Sequence, residues 1–478
     1  MKRTEKMKQL SKYLPDHGPV LCMCLASFMI FLFLVFEEDI HKLMVFARLG
    51  LLGASMLFFL ISLIRIRNGE SWKPFRLPVI VAVWFLITQV IQLRSGIIVH
   101  HYTQVLPVYL LALPFAAFTR DSEKQTGLKI LTSVYLVAFL IWILFALLLM
   151  INRVPQFIQP HVYWEGPRLS LFHHPNNTAR GFMLGIGLCL SLCVRTPKKW
   201  LKPLLIAAAA LMFVVSSLTN SRSAIMITCV MVGGIVFFLI FKGTWKQFLT
   251  GGILALAVMA FLFTTSQTIY RQNSQALAER QFQQQYPSGV ISLSAQTFPE
   301  KDPTIVSDRQ DDFAPISLSA PPVVPNRSPQ KSFLKDLSTF NSRTWIWQLS
   351  LNRIRENPSI LLWGTPITEI DHNGTIIPHS HNSWLETLLR MGLPGFVFSL
   401  IFTWQAVSSA MVLLWNRNTD LHKKILALLI LCILMCSFFE PTLFFSTVHW
   451  NYIDFFFFLC LGYMLQWKKQ LTCPVANT

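Results

Sequence analysis

The sequence predicts an all-α polytopic membrane protein with about twelve transmembrane helices and one large loop on the outer side. Of its 478 residues, 53% are hydrophobic and only 13% are charged, and the mean hydropathy is +0.48. Soluble domains carry about twice that charged fraction. The apolar residues lie in runs, such as those around residues 28–36 and 55–64, of about the 20 residues that a bilayer-crossing helix needs. This composition excludes a disordered chain and argues against a cytosolic globular enzyme.

Twelve apolar stretches are the predicted spans, and an even number places both termini on one side of the membrane. They cover residues 18–36, 43–64, 76–93, 104–119, 129–151, 177–194, 200–218, 223–241, 248–266, 391–415, 425–439 and 445–466. The predicted organisation therefore has three parts. Residues 1–266 hold nine spans, 267–390 form the outer loop, and 391–478 hold three spans and a tail.

The positive charge follows the predicted topology. The net charge is +18, and twenty-three of the 41 Lys and Arg residues fall in segments that are inner if the N-terminus is cytoplasmic. Cytoplasmic loops of membrane proteins collect Lys and Arg in this way. The sequence therefore predicts cytoplasmic termini, and the charge requires no nucleic-acid partner.

The outer loop changes character along its length. Residues 271–335 are rich in Gln, Ser and Pro, which predicts a mobile linker, whereas residues 341–390 are expected to be helical. Trp347, Leu351 and Ile354 follow the spacing of one helix face over 341–357. A second helix is predicted to begin near Asn382. Long loops with internal helices are usually functional.

The strongest candidate for chemistry lies where this loop returns to the membrane. His379, His381 and Glu386 surround the predicted cap Asn382. A neutral imidazole there could take a proton from a hydroxyl group, and Glu386 could orient the ring or a neighbouring helix. The alternative is an interfacial helix cap whose histidines only form hydrogen bonds.

Two arginines on the same predicted side are candidate anion ligands. Arg222 stands at the outer end of the eighth span, and Arg343 begins the amphipathic helix. Arginine at a membrane edge is costly, and its guanidinium matches a phosphate with two parallel hydrogen bonds. The alternatives are a side chain that reaches to the interface for Arg222 and a surface residue for Arg343.

A third polar cluster precedes the sixth span. Arg168, His174, Asn176 and Arg180 could support a site, or could simply form a polar turn between helices. The acidic residues 37–39 could bind a divalent cation, although a plain hydrated turn explains them better. We therefore predict no metal site.

The spacing of the outer-loop motif resembles that of bacterial O-antigen ligases. His381-Asn382 is followed after nine residues by Gly392-x-x-Gly395, at the end of the large outer loop. The preceding segment is similar to the wider ligase and polymerase superfamily in residues Arg343, Trp347, Pro358 and Gly364. Arg222 and the turn from Arg168 to Asn176 also fit the pattern of this family.

The resemblance implies an inverting membrane glycosyltransferase of the GT-C type that needs no metal or other cofactor. The donor would be a glycan on undecaprenyl diphosphate, and the acceptor a hydroxyl of the lipid A core, on the periplasmic side. His381 would be the catalytic base, and Arg222 and Arg343 would hold the diphosphate. His379, Glu386, Arg168, His174, Asn176 and Arg180 would be supporting residues. Membrane lipids are expected partners, and nucleic acid is not.

Several alternatives remain open. Related polymerases share the layout, but they commonly carry arginine-x10-glycine motifs, which neither Arg168 nor Arg343 begins. Related protein O-oligosaccharyltransferases differ only in their acceptor. A lipid or sugar transporter would be expected to show internal repeats, and the sequence has none that we detect. A metal-dependent transferase would use residues 37–39.

Overall fold

The computed structural model consists of helices joined by short connections and two small β-hairpins. The helices are α1 (Lys2–Val35), α2 (His41–Arg67), α3 (Arg76–Leu93), α4 (Tyr102–Pro107), α5 (Leu113–Phe118), α6 (Asp121–Met150), α7 (Pro175–Arg195), α8 (Leu201–Leu218), α9 (Arg222–Ile240), α10 (Trp245–Gln285), α11 (Arg343–Glu356), α12 (Ile360–Trp363), α13 (Ser383–Trp415), α14 (Leu421–Ser437) and α15 (Tyr452–Thr472). The strands are β1 (Val162–Glu165), β2 (Arg168–Leu171), β3 (Ile370–His372) and β4 (Thr375–Ile377).

The structure describes residues 2–36, 41–93, 102–155, 162–165, 167–171, 175–285, 343–365, 370–372, 375–377, 379–441, 443–444 and 452–472. The chain divides into two units, Met1–Ser274 with Arg343–Thr478, and Gln275–Ser342. Of the second unit, the structure describes the end of α10.

The helical architecture confirms the predicted all-α polytopic class. Within the described residues, eight helices are long and apolar enough to cross a membrane, and the apolar segment 105–118 is shorter. The other predicted spans fall on α3, α14 and α15. The span count and the outer loop stay predictions. Helix α10 continues to Gln285, beyond the boundary at 266 that hydropathy suggests and into the predicted linker.

Two features are absent from the sequence prediction. Strands β1 and β2 pair antiparallel, as do β3 and β4, so each pair forms a short hairpin in a segment that the sequence predicts to be outer. The predicted span 104–119 is not one regular helix, because a π-helical stretch at Val108–Ala112 separates α4 from α5. Pro107 at the end of α4 lacks the backbone N–H that regular helical bonding requires.

Helix α7 brings polar side chains into the protein interior. In its most apolar stretch 72% of the residues are buried, whereas in that of α10 only 11% are. Gly181 and Gly185 allow this burial, since a Cβ on Gly181 would meet Trp142 and Tyr452, and one on Gly185 would meet Met212. The first turn of α7 therefore lies among the other helices.

Two glycines allow α12 to pack closely against α13. Gly364 and Gly392 have φ values of +73° and +68° with ψ near 180°, a conformation essentially confined to glycine. A Cβ on Gly392 would lie 2.5 Å from the carbonyl oxygen of Leu362, and one on Gly364 would meet the carbonyl of Arg390. The backbone N–H of Thr365 donates to Leu389 O at 2.6 Å. This close approach fixes α12, and α11 before it, beside the start of α13.

Candidate active site

Glu440 is the centre of a buried polar cluster. Its Oε1 accepts hydrogen bonds from Arg343 Nη2 and Asn176 Nδ2, both at 3.0 Å. Its Oε2 lies 3.4 Å from Nδ1 of His381. Residues from α7, α11, the turn before α13 and the segment after α14 thus meet at one carboxylate.

The charge of Glu440 is stabilised by its neighbours. Burial alone would raise the pKa of this carboxyl group, but the adjacent His381 side chain, Arg180 and Arg343 hold its pKa well below the usual range. Arg343 also lies over the ring of Phe439, with its guanidinium carbon 5.7 Å from the ring centroid. Glu440 is therefore ionised at neutral pH.

Asn176 links the first hairpin to this carboxylate. Its Oδ1 accepts from Arg168 Nη2 at 2.9 Å, while its Nδ2 donates to Glu440. Arg168 also donates from Nε to the carbonyl oxygen of Thr219 at 2.9 Å. The predicted supporting residues Arg168 and Asn176 therefore belong to the same network as Arg343 and His381.

Arg180 contributes a buried cation one turn further along α7. Only 6% of its surface is exposed. Its Nε donates to Asn176 O at 3.1 Å, and its Nη2 donates to Asn177 Oδ1. Its Nη1 is buried without a hydrogen-bond partner among the described residues. A buried guanidinium with an unused donor is suited to an anionic ligand.

The two histidines differ in environment. The rings of His379 and His381 meet edge to face with centroids 4.1 Å apart, and His379 Nδ1 accepts the backbone N–H of His381 at 3.3 Å. Burial, reinforced by His381, lowers the pKa of His379 to about 4, so that ring is neutral at physiological pH. The His381 side chain is 28% exposed and faces a carboxylate. His381 therefore has the better geometry for a general base.

Glu386 holds the backbone of the histidine turn rather than an imidazole. Its Oε2 accepts the backbone N–H of Ser380, and its Oε1 accepts from Arg390 Nε, both at 2.9 Å. His381 has a φ of +53°, which is uncommon for a residue other than glycine. The buried Glu386–Arg390 pair thus helps to fix a turn whose backbone conformation is unfavourable.

The start of α13 also anchors the segment that carries Glu440. Asn382 caps the helix, because its Oδ1 accepts the N–H of Leu385 at 2.9 Å, and its Nδ2 donates to Phe438 O at 3.2 Å. Ser383 Oγ donates to Glu440 O and accepts from the N–H of Leu443, both at 3.1 Å. His381 and Glu440 are therefore positioned by the same helix terminus.

The remaining predicted residues have different outcomes. Arg222 begins α9, three residues after Thr219, the carbonyl of which accepts from Arg168. Its proposed role in holding the diphosphate stays a prediction. His174 and the acidic residues 37–39 lie outside the described residues.

Sequence reasoning missed Glu440. It lies between two predicted spans. The one feature of the sequence that could have indicated a site there is that Glu440 is an isolated acidic residue between Phe439 and Pro441. A charged side chain in an apolar, membrane-edge setting costs free energy, so an isolated carboxylate there is a functional candidate for the same reason as Arg222.

The cluster also offers ligand atoms for a metal ion. Ligand atoms of His379, His381 and Glu440 lie within 4.8 Å of one another. However, Glu440 already accepts from Arg343, and Arg180 adds a second positive charge. Two arginines around one carboxylate favour an anionic ligand over a cation.

Comparison with known families identifies one match. Residues 207–400 match the family described as O-Antigen ligase. The matched region contains Arg222, Arg343, His379, His381 and Glu386, while Arg168, Asn176, Arg180 and Glu440 flank it. Neither the curated proteins nor the solved structures gave a match.

Proposed function

We propose that this chain, a member of the O-antigen ligase family, transfers a glycan from undecaprenyl diphosphate to a hydroxyl of the lipid A core. The observation that carries the proposal is the meeting of His381, Arg343 and Arg180 around Glu440. A base beside buried arginines suits a reaction in which a hydroxyl attacks and a diphosphate leaves. The reaction would take place on the periplasmic side of the inner membrane.

His381 acts as the base in this mechanism. Nδ1 lies 3.4 Å from Glu440 Oε2, within ion-pair distance although no hydrogen bond joins the two atoms in the structure. With the proton on Nδ1, Nε2 presents a lone pair to the acceptor hydroxyl. The acceptor oxygen bonds to the anomeric carbon, the bond from that carbon to the diphosphate oxygen breaks, and Nε2 takes the hydroxyl proton. Glu440 stabilises the imidazolium that forms, as the acid of a catalytic triad does. Direct displacement inverts the anomeric configuration.

The arginines stabilise the leaving group. When undecaprenyl diphosphate departs, negative charge increases on the oxygen that joined it to the anomeric carbon. Donors that are already oriented in a water-poor site stabilise such charge without reorganisation. Arg343 and Arg180 are the arginines that act on Glu440, the neighbour of the proposed base, and Arg222 is a further candidate. The donor is already activated, so the mechanism requires no nucleotide.

Transfer in vitro tests the proposal. Purified protein is mixed in detergent with undecaprenyl-diphosphate glycan and rough lipopolysaccharide, and capped product is detected on a gel. We expect product from the wild type and a loss of about 10²- to 10⁴-fold for His381→Ala, the range that general base catalysis contributes. His422→Ala, on a predicted inner segment, is the matched control.

Other products would change the assignment. Elongated glycan that remains on the lipid carrier would indicate a polymerase. Transfer to a protein Ser or Thr would indicate a protein oligosaccharyltransferase. Normal transfer by His381→Ala would overturn the proposed base.

A further inference from the structure

A cleft lies far from the candidate active site, between α3, α5, α13 and α15. Its volume is about 570 Å³. Gln405 of α13 lines it, whereas Asn382 caps the other end of the same helix. Lys73 and Lys469, which also line the cleft, belong to segments that the sequence predicts to lie on the inner side. The cleft therefore opens near the membrane face opposite the proposed catalytic site.

The cleft has an apolar part and a cationic end. The apolar lining comes from Leu77, Leu113, Phe402 and Leu465, with Pro74, Pro78, Pro114 and Ala117. The polar lining comes from Lys73, Lys469 and three glutamines, Gln405, Gln466 and Gln470. None of these described lining residues is acidic. The cleft therefore combines an apolar space that could hold a hydrocarbon chain with positive charge and amide donors.

The two ammonium groups are available to a ligand. Lys73 and Lys469 are exposed, and among the described residues neither lies within ion-pair distance of a carboxylate. By contrast, Lys423 and Lys124, elsewhere on the predicted inner side, are paired with Asp420 and Asp121. The cleft thus concentrates cations whose charge the protein does not itself balance.

A close helix crossing forms one wall of the cleft. A Cβ on Gly462 would lie 2.5 Å from the carbonyl oxygen of Leu113, so glycine lets α15 touch the backbone of α5. Leu113 and Gly462 both line the cleft. The wall is therefore set by backbone contact and does not depend on flexible side chains.

We propose that this cleft binds one anionic phospholipid. An acyl chain occupies the apolar part, and the phosphate lies between Lys73 and Lys469 with the glutamine amides as further donors. Basic pockets between transmembrane helices bind phosphate-bearing headgroups in this way. The site is independent of the proposed transferase activity, and its ligand would come from the leaflet on the predicted cytoplasmic side.

Native mass spectrometry of the detergent-purified protein tests the proposal. Palmitoyl-oleoyl phosphatidylglycerol and the matching phosphatidylcholine are added at equal concentration, and retained lipid is measured. We expect preferential retention of phosphatidylglycerol, reduced about five-fold by each of Lys73→Gln and Lys469→Gln. The double variant Lys198→Gln/Lys199→Gln, at exposed lysines outside the cleft on the predicted inner side, should retain lipid as the wild type does.

A second variant tests the acyl-chain part of the cleft. Ala117 is exposed and lines the cleft, so Ala117→Trp fills it without entering the protein core. We expect this variant to lose phosphatidylglycerol while its elution volume on size exclusion is unchanged. Equal retention of the two lipids, unchanged retention in Lys73→Gln/Lys469→Gln, or binding that survives Ala117→Trp would overturn the proposal. Displacement of the lipid by millimolar inorganic phosphate alone would show a simple anion site and would also overturn it.

Discussion

Nδ1 of His381 lies 3.4 Å from Oε2 of Glu440, although the two residues are separated by all of α13 and α14. The other oxygen of the same carboxylate accepts from Arg343 and Asn176. One side chain therefore connects the proposed base with a proposed phosphate ligand. Several predictions depend on this arrangement.

Replacing Glu440 with glutamine should impair the chemical step more than substrate binding. Glutamine keeps the approximate shape but cannot stabilise an imidazolium, so kcat should fall by about 100-fold or more. Single-turnover transfer measures the effect, with melting temperature as a check because the change also leaves Arg343 without its ion pair. Glu165→Gln, at an exposed strand residue, is the control. Full activity in Glu440→Gln would contradict the pairing of Glu440 with the base.

Arg343→Lys should weaken stabilisation of the leaving diphosphate. Lysine keeps the charge but loses the planar pair of donors, so the rate should fall by about 100-fold. Steady-state transfer at varied donor concentration separates the effect on kcat from that on KM. Arg355→Lys lies on the same helix and is exposed, so its activity should equal that of the wild type. Equal activity of Arg343→Lys and Arg355→Lys would remove Arg343 from the site.

Gly392→Ala should destabilise the packing of α11 and α12 against α13. Alanine at a φ of +68° costs about 1–3 kcal/mol, and its Cβ would lie 2.5 Å from Leu362 O. We expect a lower melting temperature together with lost transfer activity. Gly53→Ala is the matched control, because nothing lies within 4 Å of a Cβ there. A wild-type melting temperature for Gly392→Ala would contradict this role of the glycine.

The neutral state of His379 should make the protein sensitive to acid. The pKa of about 4 in the folded protein lies below the ordinary histidine value of 6.5, so its contribution to stability is complete above pH 6.5. That contribution is lost as the pH falls from 6.5 towards 4. Thermal melts at pH 7.0, 5.5 and 4.5 should therefore show a smaller decline for His379→Gln than for the wild type. Parallel declines would show that His379 is not buried in its neutral form.

Transfer should proceed at an unchanged rate in excess EDTA, because arginines and not a metal ion balance the charge of the leaving group. Added Zn²⁺ should inhibit, since binding by His379, His381 and Glu440 would occupy the lone pair of the base. Product formation measured over a Zn²⁺ titration, in wild type and His379→Gln, checks this. Activity lost in EDTA and restored by a divalent ion would favour a metal-dependent transferase.

The sequence predicts those features that depend on local pattern. Runs of apolar residues predict most of the helices, Asn382 predicts the start of α13, and Pro358 predicts the end of α11. Each of these signals acts within a few residues along the chain. The histidine turn and Arg343 also stand out locally, as charged or titratable groups at membrane edges.

The features that escape prediction depend on packing between distant segments. Glu440 becomes part of the cluster because Asn382 and Ser383 bind the backbone on either side of it. Gly392 is recognised in the sequence as part of a motif. Its role, however, depends on the close approach of the Leu362 backbone, and the spacing of residues along the chain does not predict that contact. The hairpin that carries Arg168 is four residues per strand, too short for a clear alternating pattern.

The position of Glu440 in the chain has a consequence for biosynthesis. A ribosome that has translated as far as residue 430 has already produced every residue of the matched region, both histidines, and the arginines Arg168, Arg180, Arg222 and Arg343. The carboxylate that would organise them is still to be made. Partly synthesised chains would therefore hold reactive groups in an inert arrangement until the helices that flank Glu440 enter the membrane.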